Sequence, residues 1–310
     1  MEVILSAPRG FCAGVVRAIE VVELSLQRFG APVYVKHQIV HNPYVVASLE
    51  RKGAITVEAV EEIPPGSVVV FSAHGSPPED YEKAKARGLR LIDAICPLVT
   101  RVHNEARKYS HEDRRLILIG HRGHQEVKGT MGQASMALVD EHEGISLPDW
   151  SEETPVTVLT QTTLSLDDTY RSVEEIQRRF PNVIVRNDIC YATTNRQEAV
   201  KRLGSMVNLV LVIGAQNSSN CNRLQEVAQA QGIPAHLING PEEVQEEWLK
   251  GVNRVGITSG ASTPEVLVEA VINRLAPEQV STLEGVEENI TFVLPQELRD
   301  MGQPRRSYTW

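Results

Sequence analysis

Two cysteines of this chain lie in closely similar surroundings, and cysteine is a residue type that can bind metal or react. Cys96 lies in the stretch DAICPLVTR and Cys190 in DICYATTNR. A third, Cys12 in GFCAGVVR, also has an arginine a few residues farther along the chain. A lone cysteine is usually a small buried hydrophobe, but three matched settings favour a shared chemical role. The sequence therefore predicts that these three thiols act together.

Each of the three cysteines follows a predicted strand and precedes a predicted helix. Short β-branched runs alternate with helical segments along the chain, which is typical of α/β proteins with mainly parallel sheets. Many runs are continuously apolar, which favours strands covered by helices on both faces. The predicted strands span 2–7, 33–36, 68–73, 89–94, 116–120, 156–160, 183–185, 209–215 and 254–259.

The pattern of elements recurs between one cysteine and the next, with two predicted strands that end in polar turns in each interval. The third interval does not end at another cysteine of this kind. The N-terminal stretch VILSAPRGFC, a strand followed by Cys12, supplies the missing element. We therefore predict an α/β fold of three similar units with mainly parallel sheets, in a pseudo-threefold trefoil around a central cavity. The units are predicted at 14–96, 97–187 and 188–310, the last completed by the N-terminal strand within 1–13.

The predicted positions of the cysteines bear on what the thiols can bind. Ligands of parallel α/β units bind beyond the carboxyl ends of the strands, so three such thiols would converge on one axis. A helix N-terminus lowers the pKa of a thiol and favours the thiolate. Without a C-x-x-C pair, three thiolates fit neither a closed zinc site nor the local spacing of a ferredoxin. They fit an iron–sulfur cluster in which one iron has no protein ligand, whereas Cys221 lies outside the pattern and is assigned to packing.

Polar side chains in the strand-end turns are expected to face the same cavity. Histidines, hydroxyls and helix N-terminal N–H groups can donate to phosphate oxygens, although serines at helix starts are equally common as N-caps. The candidate residues are His41, His74, His124, Glu126, Thr160, Ser218, Ser219, Asn220 and Ser262.

Glu126 is the one carboxylate in these turns that lies two residues from such a histidine. It could deliver protons if a closed cavity raises its pKa, or it could be only a partner of the helix dipole. Thr160, with the other hydroxyls of TQTT, could complete a proton relay or cap the next helix.

Composition and charge exclude several classes of protein. The chain has 310 residues, 42% of them hydrophobic and 23% charged, and a formal net charge of −9. Dense basic runs are lacking, which argues against a nucleic-acid partner. Neither a secretory signal nor a run of about 18 apolar residues is found, so we predict a cytoplasmic protein without a membrane span. Disulfides are disfavoured in that compartment, which favours metal-binding or catalytic cysteines.

Ten motifs spread over residues 8 to 289 resemble the family of 4-hydroxy-3-methylbut-2-enyl diphosphate reductases, which catalyse the last step of the methylerythritol phosphate route to isoprenoids. The motifs are PRGFCAGV, HNPYVV, FSAHGSP, DAICPLVT, GHRGHQEV, TQTTLS, DICYATTNRQ, NSSN, GASTP and EGVEEN. Two features depart from the family, Cys221 and the C-terminal tail GQPRRSYTW, and neither disturbs the site.

The resemblance implies a trefoil of α/β domains around an oxygen-sensitive 4Fe-4S cluster held by Cys12, Cys96 and Cys190. The apical iron is left for the hydroxyl of the substrate. The resemblance further implies that Glu126 supplies protons with Thr160. It also implies that the diphosphate is bound by His41, His74, His124, Ser218, Ser219, Asn220 and Ser262, with His124 also at the catalytic centre.

The implied reaction is a reductive dehydroxylation that yields isopentenyl and dimethylallyl diphosphate. The implied electron donor is a ferredoxin or a flavodoxin. On our interpretation Arg17, Arg101 and Arg196, which follow the cysteines, pair with acidic groups rather than with the substrate.

Two other functions fit an iron–sulfur protein of this kind. A hydro-lyase would remove water without net reduction, but it would be expected to carry arginine for a substrate carboxylate. A non-catalytic iron–sulfur sensor or carrier would leave Glu126 and the converging polar turns without a purpose.

Overall fold

Thirteen β-strands form three parallel sheets in the computed structural model of the chain, which describes residues 1–301 and residue 305. The strands are β1 (Glu2–Leu5), β2 (Val33–Lys36), β3 (Ala54–Val57), β4 (Val68–Phe71), β5 (Arg90–Asp93), β6 (Arg115–Ile119), β7 (Met136–Val139), β8 (Val156–Thr160), β9 (Ile184–Val185), β10 (Leu209–Ile213), β11 (Ala235–Ile238), β12 (Arg254–Ser259) and β13 (Gln279–Thr282). Every strand pair is parallel.

The three sheets share one strand order. The first sheet has the order β3-β2-β4-β5, and the second has the order β7-β6-β8-β9. The third sheet has the order β11-β10-β12-β1-β13, so the N-terminal strand takes the place of β5 and β9. Glu2 pairs with Arg254 on one side and with Gln279 on the other. The predicted fold class, three α/β units with mainly parallel sheets, is confirmed, and β1 lies within the third sheet.

Nine α-helices connect the strands in the described part of the chain. They are α1 (Ala13–Phe29), α2 (Pro43–Arg51), α3 (Pro78–Ala86), α4 (Pro97–His111), α5 (Gln125–Met131), α6 (Leu166–Arg179), α7 (Tyr191–Gly204), α8 (Ser219–Ala230) and α9 (Glu265–Leu275). Not one helix within residues 1–301 combines the length and the apolar character that a membrane crossing needs.

Each sheet has a hydrophobic core on both of its faces. In the first sheet, Val70 packs in one core with α1, whereas Val69 and Phe71 pack in another. The second and third sheets are likewise each flanked by two buried clusters. Burial on both faces explains why the central strands are continuously apolar.

Four strands were not predicted from the sequence, and all lie at sheet edges. They are β3, β7, β11 and β13. An edge strand is only partly covered, and β13 has mostly exposed side chains. Its sequence, QVST, therefore carries little hydrophobic signal, although its pairing with β1 extends the third sheet.

The last described segment leaves the third sheet and packs on the first unit. Leu294 and Leu298 are fully buried in the core that α1 shares with the first sheet. The predicted third unit extends to residue 310, whereas this segment belongs by its packing to the first unit. The tail GQPRRSYTW lies outside the described residues except for Arg305.

Candidate active site

One cavity lies beyond the carboxyl ends of the strands and is lined by side chains of all three units. Every residue predicted for the site lines this cavity except Thr160. The three cysteines, the three histidines and Glu126 are thus brought together from segments far apart in sequence. Ten further residues line the cavity, and among them Gly14, Thr162, Thr163 and Thr193 are the ones that bear on the chemistry of the site.

The three cysteines occupy equivalent positions at helix N-termini. Cys12, Cys96 and Cys190 are the N-cap residues of α1, α4 and α7, each with extended backbone. Strand β1, β5 or β9 precedes each of them. The threefold arrangement of strands therefore brings the thiols to one place, as the sequence predicts.

Burial outweighs the helix N-terminus in setting the acidity of two of these thiols. Burial raises the pKa of Cys96 to about 12 and the pKa of Cys190 to about 11. The nearby Cys12 raises both values further. The backbone N–H groups at the start of each helix do lower the pKa of Cys96 and Cys190, as expected, but burial opposes this effect and exceeds it. A thiolate in this cavity needs a cationic partner, which a metal centre supplies.

The donor set fits a cluster of several iron atoms. Among residues 1–301 and 305, no three His, Cys, Asp or Glu side chains are close enough together to hold one metal ion. A cluster needs no such convergence, because each cysteine binds a different iron. Gly14 leaves room beside the sulfurs, since a Cβ atom there would lie 2.9 Å from Cys96 Sγ and 3.7 Å from Cys12 Sγ.

Three histidines form a compact group on another wall of the cavity. The rings of His41 and His74 are stacked with centroids 4.1 Å apart. The ring of His124 lies 5.3 Å from His41 and 5.8 Å from His74 in edge-on contacts. The turns after β2, β4 and β6 therefore place three imidazoles where one anionic group could touch them all.

The histidines are uncharged in this structure because they are buried. Burial lowers the pKa of His41 to about 4 and the pKa of His124 to about 3, and it also lowers the pKa of His74 well below its usual value. His124 Nδ1 accepts a hydrogen bond from the backbone N–H of Glu126 at 3.2 Å. A neutral His124 ring therefore carries its proton on Nε2, which makes that atom a donor.

The N-terminus of α8 supplies the remaining polar wall. Ser218 caps this helix by accepting from the N–H of Cys221, and Ser262 donates to the carbonyl of His41 at 3.0 Å. Ser219 Oγ and both side-chain polar atoms of Asn220 are buried without a partner. Unpartnered buried polar groups are costly. Their concentration at a helix N-terminus is the arrangement that binds an anion.

His41 adds a fourth unpartnered group to this wall, because its buried Nε2 atom also has no partner. Lysine and arginine are absent from the lining residues within the described chain. An anion in this cavity would therefore be held by N–H and O–H donors and by neutral imidazoles rather than by fixed cations.

Glu126 is buried and bound to a threonine of the turn after β8. Its carboxylate accepts from the backbone N–H of Thr162 at 2.6 Å and from the Thr162 hydroxyl at 2.9 Å. Burial raises the pKa of Glu126 to about 7, although these two hydrogen bonds oppose the shift. A carboxyl group with this pKa can hold or release a proton near neutral pH, which is the property of a general acid.

Thr160 does not line the cavity, and its hydrogen bonds go to Asp188 rather than to Glu126. It is the last residue of β8, and its hydroxyl accepts from the backbone N–H of Asp188 at 3.2 Å. Its own N–H donates to the Asp188 carboxylate at 3.4 Å. The structure thus places Thr162, and not the predicted Thr160, beside Glu126, because Thr160 is still part of the strand. The rule that site residues lie in the turns after strands would have selected Thr162.

The arginines that follow the cysteines do not line the cavity. Arg101 pairs with Asp188 and Arg196 with Glu288, as predicted. Arg17 instead donates mainly to backbone carbonyls, including that of Val293 at 2.8 Å.

Cys221 is fully buried in a hydrophobic core of the third unit, in agreement with its predicted packing role.

A family model described as LytB protein matches residues 3–276 of the chain. Among curated proteins, the 4-hydroxy-3-methylbut-2-enyl diphosphate reductase of Actinobacillus pleuropneumoniae serotype 5b (strain L20) is 50% identical over 309 residues, covering 96% of this chain and 98% of that protein. The 4-hydroxy-3-methylbut-2-enyl diphosphate reductase 2 of Bradyrhizobium diazoefficiens is 53% identical over 305 residues, covering 96% and 99%.

Solved structures are similar as well. The structure of the E-1-hydroxy-2-methyl-but-2-enyl-4-diphosphate reductase from Plasmodium falciparum has a TM-score of 0.91 and 37% sequence identity, covering 97% of each chain. A structure of (E)-4-hydroxy-3-methyl-but-2-enyl diphosphate reductase has a TM-score of 0.65 and 36% identity, covering 89% of this chain and 99% of that one. The similarity therefore extends over nearly the whole chain, in sequence and in fold.

Proposed function

The chain belongs to the LytB protein family and is an oxidoreductase, and from this premise we propose that it reduces 4-hydroxy-3-methylbut-2-enyl diphosphate to isopentenyl and dimethylallyl diphosphate. The reaction consumes two electrons and two protons, breaks the allylic C–O bond and releases water. The observation that carries the proposal is the convergence of three cysteines, three histidines and one buried carboxyl group on a single cavity.

Cys12, Cys96 and Cys190 would hold a 4Fe-4S cluster at one wall of the cavity. When bound, such a cluster supplies single electrons and a Lewis-acidic iron without a protein ligand. Three observations support the fit. The three cysteines are matched N-cap residues, and Gly14 leaves space beside two of the sulfurs. Burial disfavours a free thiolate at Cys96 and Cys190, so a thiolate there needs a cationic partner such as iron.

The polar wall formed by the histidines and the N-terminus of α8 would bind the diphosphate. Asn220, Ser219 and His41 have buried polar atoms without partners, and the oxygens of a diphosphate would satisfy them. The N-terminus of α8 adds its dipole and free N–H groups. A dianion close to His74 and His124 would also favour their protonated forms, so binding strengthens the attraction.

Glu126 would donate protons inside the cavity, with the hydroxyl of Thr162 hydrogen-bonded to its carboxyl group. One proton leaves with the hydroxyl oxygen as water, and a second is added to carbon. Addition at one or the other end of the allyl group gives the two products. Apolar residues such as Val40, Leu98 and Val99 line the same cavity and keep it poor in water, which protects a reactive intermediate.

The experiment that tests the proposal is anaerobic purification, with visible and EPR spectroscopy followed by turnover with a chemical reductant. We expect an iron–sulfur spectrum and the formation of both C5 diphosphates. A colourless, iron-free protein would contradict the cluster. A cluster without either product would favour a sensor, and loss of water without consumption of reductant would favour a hydro-lyase.

Cytoplasmic location, a ferredoxin or flavodoxin donor and the lack of a nucleic-acid partner stay predictions.

Replacement of Asn220 by alanine should weaken substrate binding without destabilising the substrate-free protein. The side chain has two buried polar atoms without partners, so its removal also removes the free-energy cost of burying them unsatisfied. Loss of its bonds to a charged diphosphate should raise KM about tenfold or more. Steady-state kinetics and thermal unfolding measure the two effects.

Asn222 provides the matched control for this substitution. It lies on the same helix but donates to the carbonyls of Gln216 and Ser218 instead of lining the cavity. Asn222→Ala should lower the unfolding temperature and leave KM unchanged. An equal KM for wild type and Asn220→Ala would remove Asn220 from the diphosphate site.

Replacement of Gly14 by alanine should impair cluster binding. A methyl group at this position would lie 2.9 Å from Cys96 Sγ, closer than a Cβ atom tolerates, so the thiol must move. Helix α1 itself should not suffer, since alanine is a better helix former than glycine. We expect less iron and sulfide per chain after reconstitution, with an intact far-UV CD spectrum. A full complement of iron would show that the sulfur can shift freely.

A further inference from the structure

Each of the three arginines that follow the site cysteines reaches across its own α/β unit. Arg17, in the second turn of α1, donates to the carbonyl of Ile95 at 3.0 Å. Ile95 directly precedes Cys96, the cysteine at the far end of the same unit. Arg17 also donates to the carbonyl of Asp93, at 3.4 Å. The helix that begins at Cys12 is therefore tied to the loop that presents Cys96.

Arg101 makes the equivalent contact in the second unit. It lies in the second turn of α4, and its guanidinium donates to the carbonyl of Asn187 and to Asp188 Oδ1, both at 3.2 Å. These two residues directly precede Ile189 and Cys190. The helix that begins at Cys96 is thus tied to the loop that presents Cys190.

Arg196 completes the series in the third unit. It lies in the second turn of α7, is fully buried, and donates to the carbonyl of Gly10 at 2.7 Å and 3.2 Å. Gly10 lies two residues before Cys12. Glu288 pairs with the same guanidinium and orients it. The helix that begins at Cys190 is therefore tied back to the loop that presents Cys12.

The three ties close a ring that runs from Cys12 to Cys96, from Cys96 to Cys190 and from Cys190 back to Cys12. We propose that Arg17, Arg101 and Arg196 are positioning residues that fix the relative placement of the three cysteines and thereby retain the cluster. This inference rests on the proposed function, since it concerns the group that the thiols would hold. None of the three arginines touches the cavity, so they act through the cysteine loops.

Guanidinium chemistry suits this role. Arginine offers five N–H donors in one rigid plane, so a single side chain can hold two backbone segments at a fixed distance. Partners that orient metal ligands in this way commonly change metal affinity by about 10- to 100-fold. Each tie also acts on one particular cysteine, which makes the ring testable residue by residue.

The test compares Arg101→Gln and Arg17→Gln with the wild-type protein. Arg101 is about half exposed, so its replacement leaves no large void. In the apoprotein, alkylation by iodoacetamide is followed for each cysteine by peptide mass spectrometry. We expect Arg101→Gln to change the rate at Cys190 severalfold, and Arg17→Gln to change the rate at Cys96. In the reconstituted protein, iron loss to a chelator should become about tenfold faster.

Arg114→Gln is the matched control. Arg114 also bridges segments, donating to Thr157 at 2.7 Å and to the carbonyl of Asn182 at 2.9 Å, but near the start of β8 and away from the cysteines. This variant should lose thermal stability and keep the wild-type pattern of alkylation and iron loss.

Two results would contradict the proposed positioning role and indicate a general loosening of the protein instead. One is an equal change in alkylation rate at all three cysteines in Arg101→Gln, and the other is iron loss as fast in Arg114→Gln as in Arg101→Gln. Unchanged alkylation in both cysteine-loop variants would overturn it as well. Failure of the wild-type protein to take up iron would instead count against the proposed function. The alkylation pattern would still show whether the arginines position the cysteines.

Discussion

Replacement of Cys96 by serine is expected to abolish reductase activity while the chain stays folded. Serine is similar in size and favoured as an N-cap, so the start of α4 should persist. Its hydroxyl, however, is much harder to deprotonate than a thiol and is therefore a weaker ligand for iron. Only three of the four cysteines line the cavity, so the variant would keep two thiol ligands. We expect little bound iron and a loss of turnover of at least about a hundredfold.

Cys221→Ala separates loss of a ligand from loss of a cysteine. Cys221 packs fully buried against Gly214 and Gly260, outside the cavity. Its replacement should lower the unfolding temperature slightly and leave iron content and turnover near those of wild type. Iron and sulfide analysis, visible spectra and turnover under anaerobic conditions compare the two variants. Full iron content and activity in Cys96→Ser would remove Cys96 from the ligand set.

The arrangement of the cysteines could be predicted because it depends on elements with strong sequence signals. The central strands are buried on both faces and read as continuous apolar runs. Cys12 follows β1, which lies inside the third sheet, whereas Cys96 and Cys190 follow the edge strands β5 and β9, whose apolar residues still marked them as strands. Because the third unit does not end at a further cysteine of the matched pattern, we assigned the N-terminal strand to that unit, and in the structure β1 pairs with β12. The other four edge strands, β3, β7, β11 and β13, were missed because half-covered strands need no such runs.

The electrostatics of the site could not be predicted from the same signals. A helix N-terminus is visible in the sequence, whereas the depth at which its cap is buried is not. Burial proves the larger effect at Cys96, Cys190 and the three histidines, all of which favour their neutral forms. These shifts depend on the packing of three units around one cavity. Such packing cannot be read from the local sequence of any one unit.

The choice between two threonines shows a finer limit. Both Thr160 and Thr162 belong to TQTT, and a boundary error of one or two residues decides which of them is a turn residue. In the structure β8 ends at Thr160, so Thr162 is the first threonine of the turn and contacts Glu126. The local sequence identifies the loop, and the strand boundary identifies the residue.

Glu126→Gln is expected to retain the cluster and bind substrate but to lose about 10²- to 10⁴-fold in turnover. Glutamine has almost the same shape, and its carbonyl oxygen can still accept from the N–H of Thr162. It cannot donate a proton as an acid. Single-turnover kinetics with prereduced protein measure the loss directly, since they exclude the supply of electrons as the limiting step.

Two controls test whether Glu126→Gln acts only on proton transfer. Burial raises the pKa of Glu126, so ionisation costs the wild-type protein stability as the pH rises through about 7. At pH 8 the Glu126→Gln variant, which carries a neutral side chain at this position, should therefore unfold at the same temperature as the wild-type protein or at a higher one. In addition, Thr162→Val should impair turnover more than Thr160→Val, because only Thr162 donates to the Glu126 carboxyl group.

The pH dependence of turnover links the effect to the proton of Glu126 itself. With a pKa of about 7, the carboxyl group is protonated below that value and ionised above it. If this proton is transferred in the slow step, wild-type turnover should fall about tenfold for each pH unit above the pKa. Glu126→Gln should be slow at every pH and lack this decline. A parallel decline in both proteins would assign the titration to another group and leave Glu126 only a role in binding or packing.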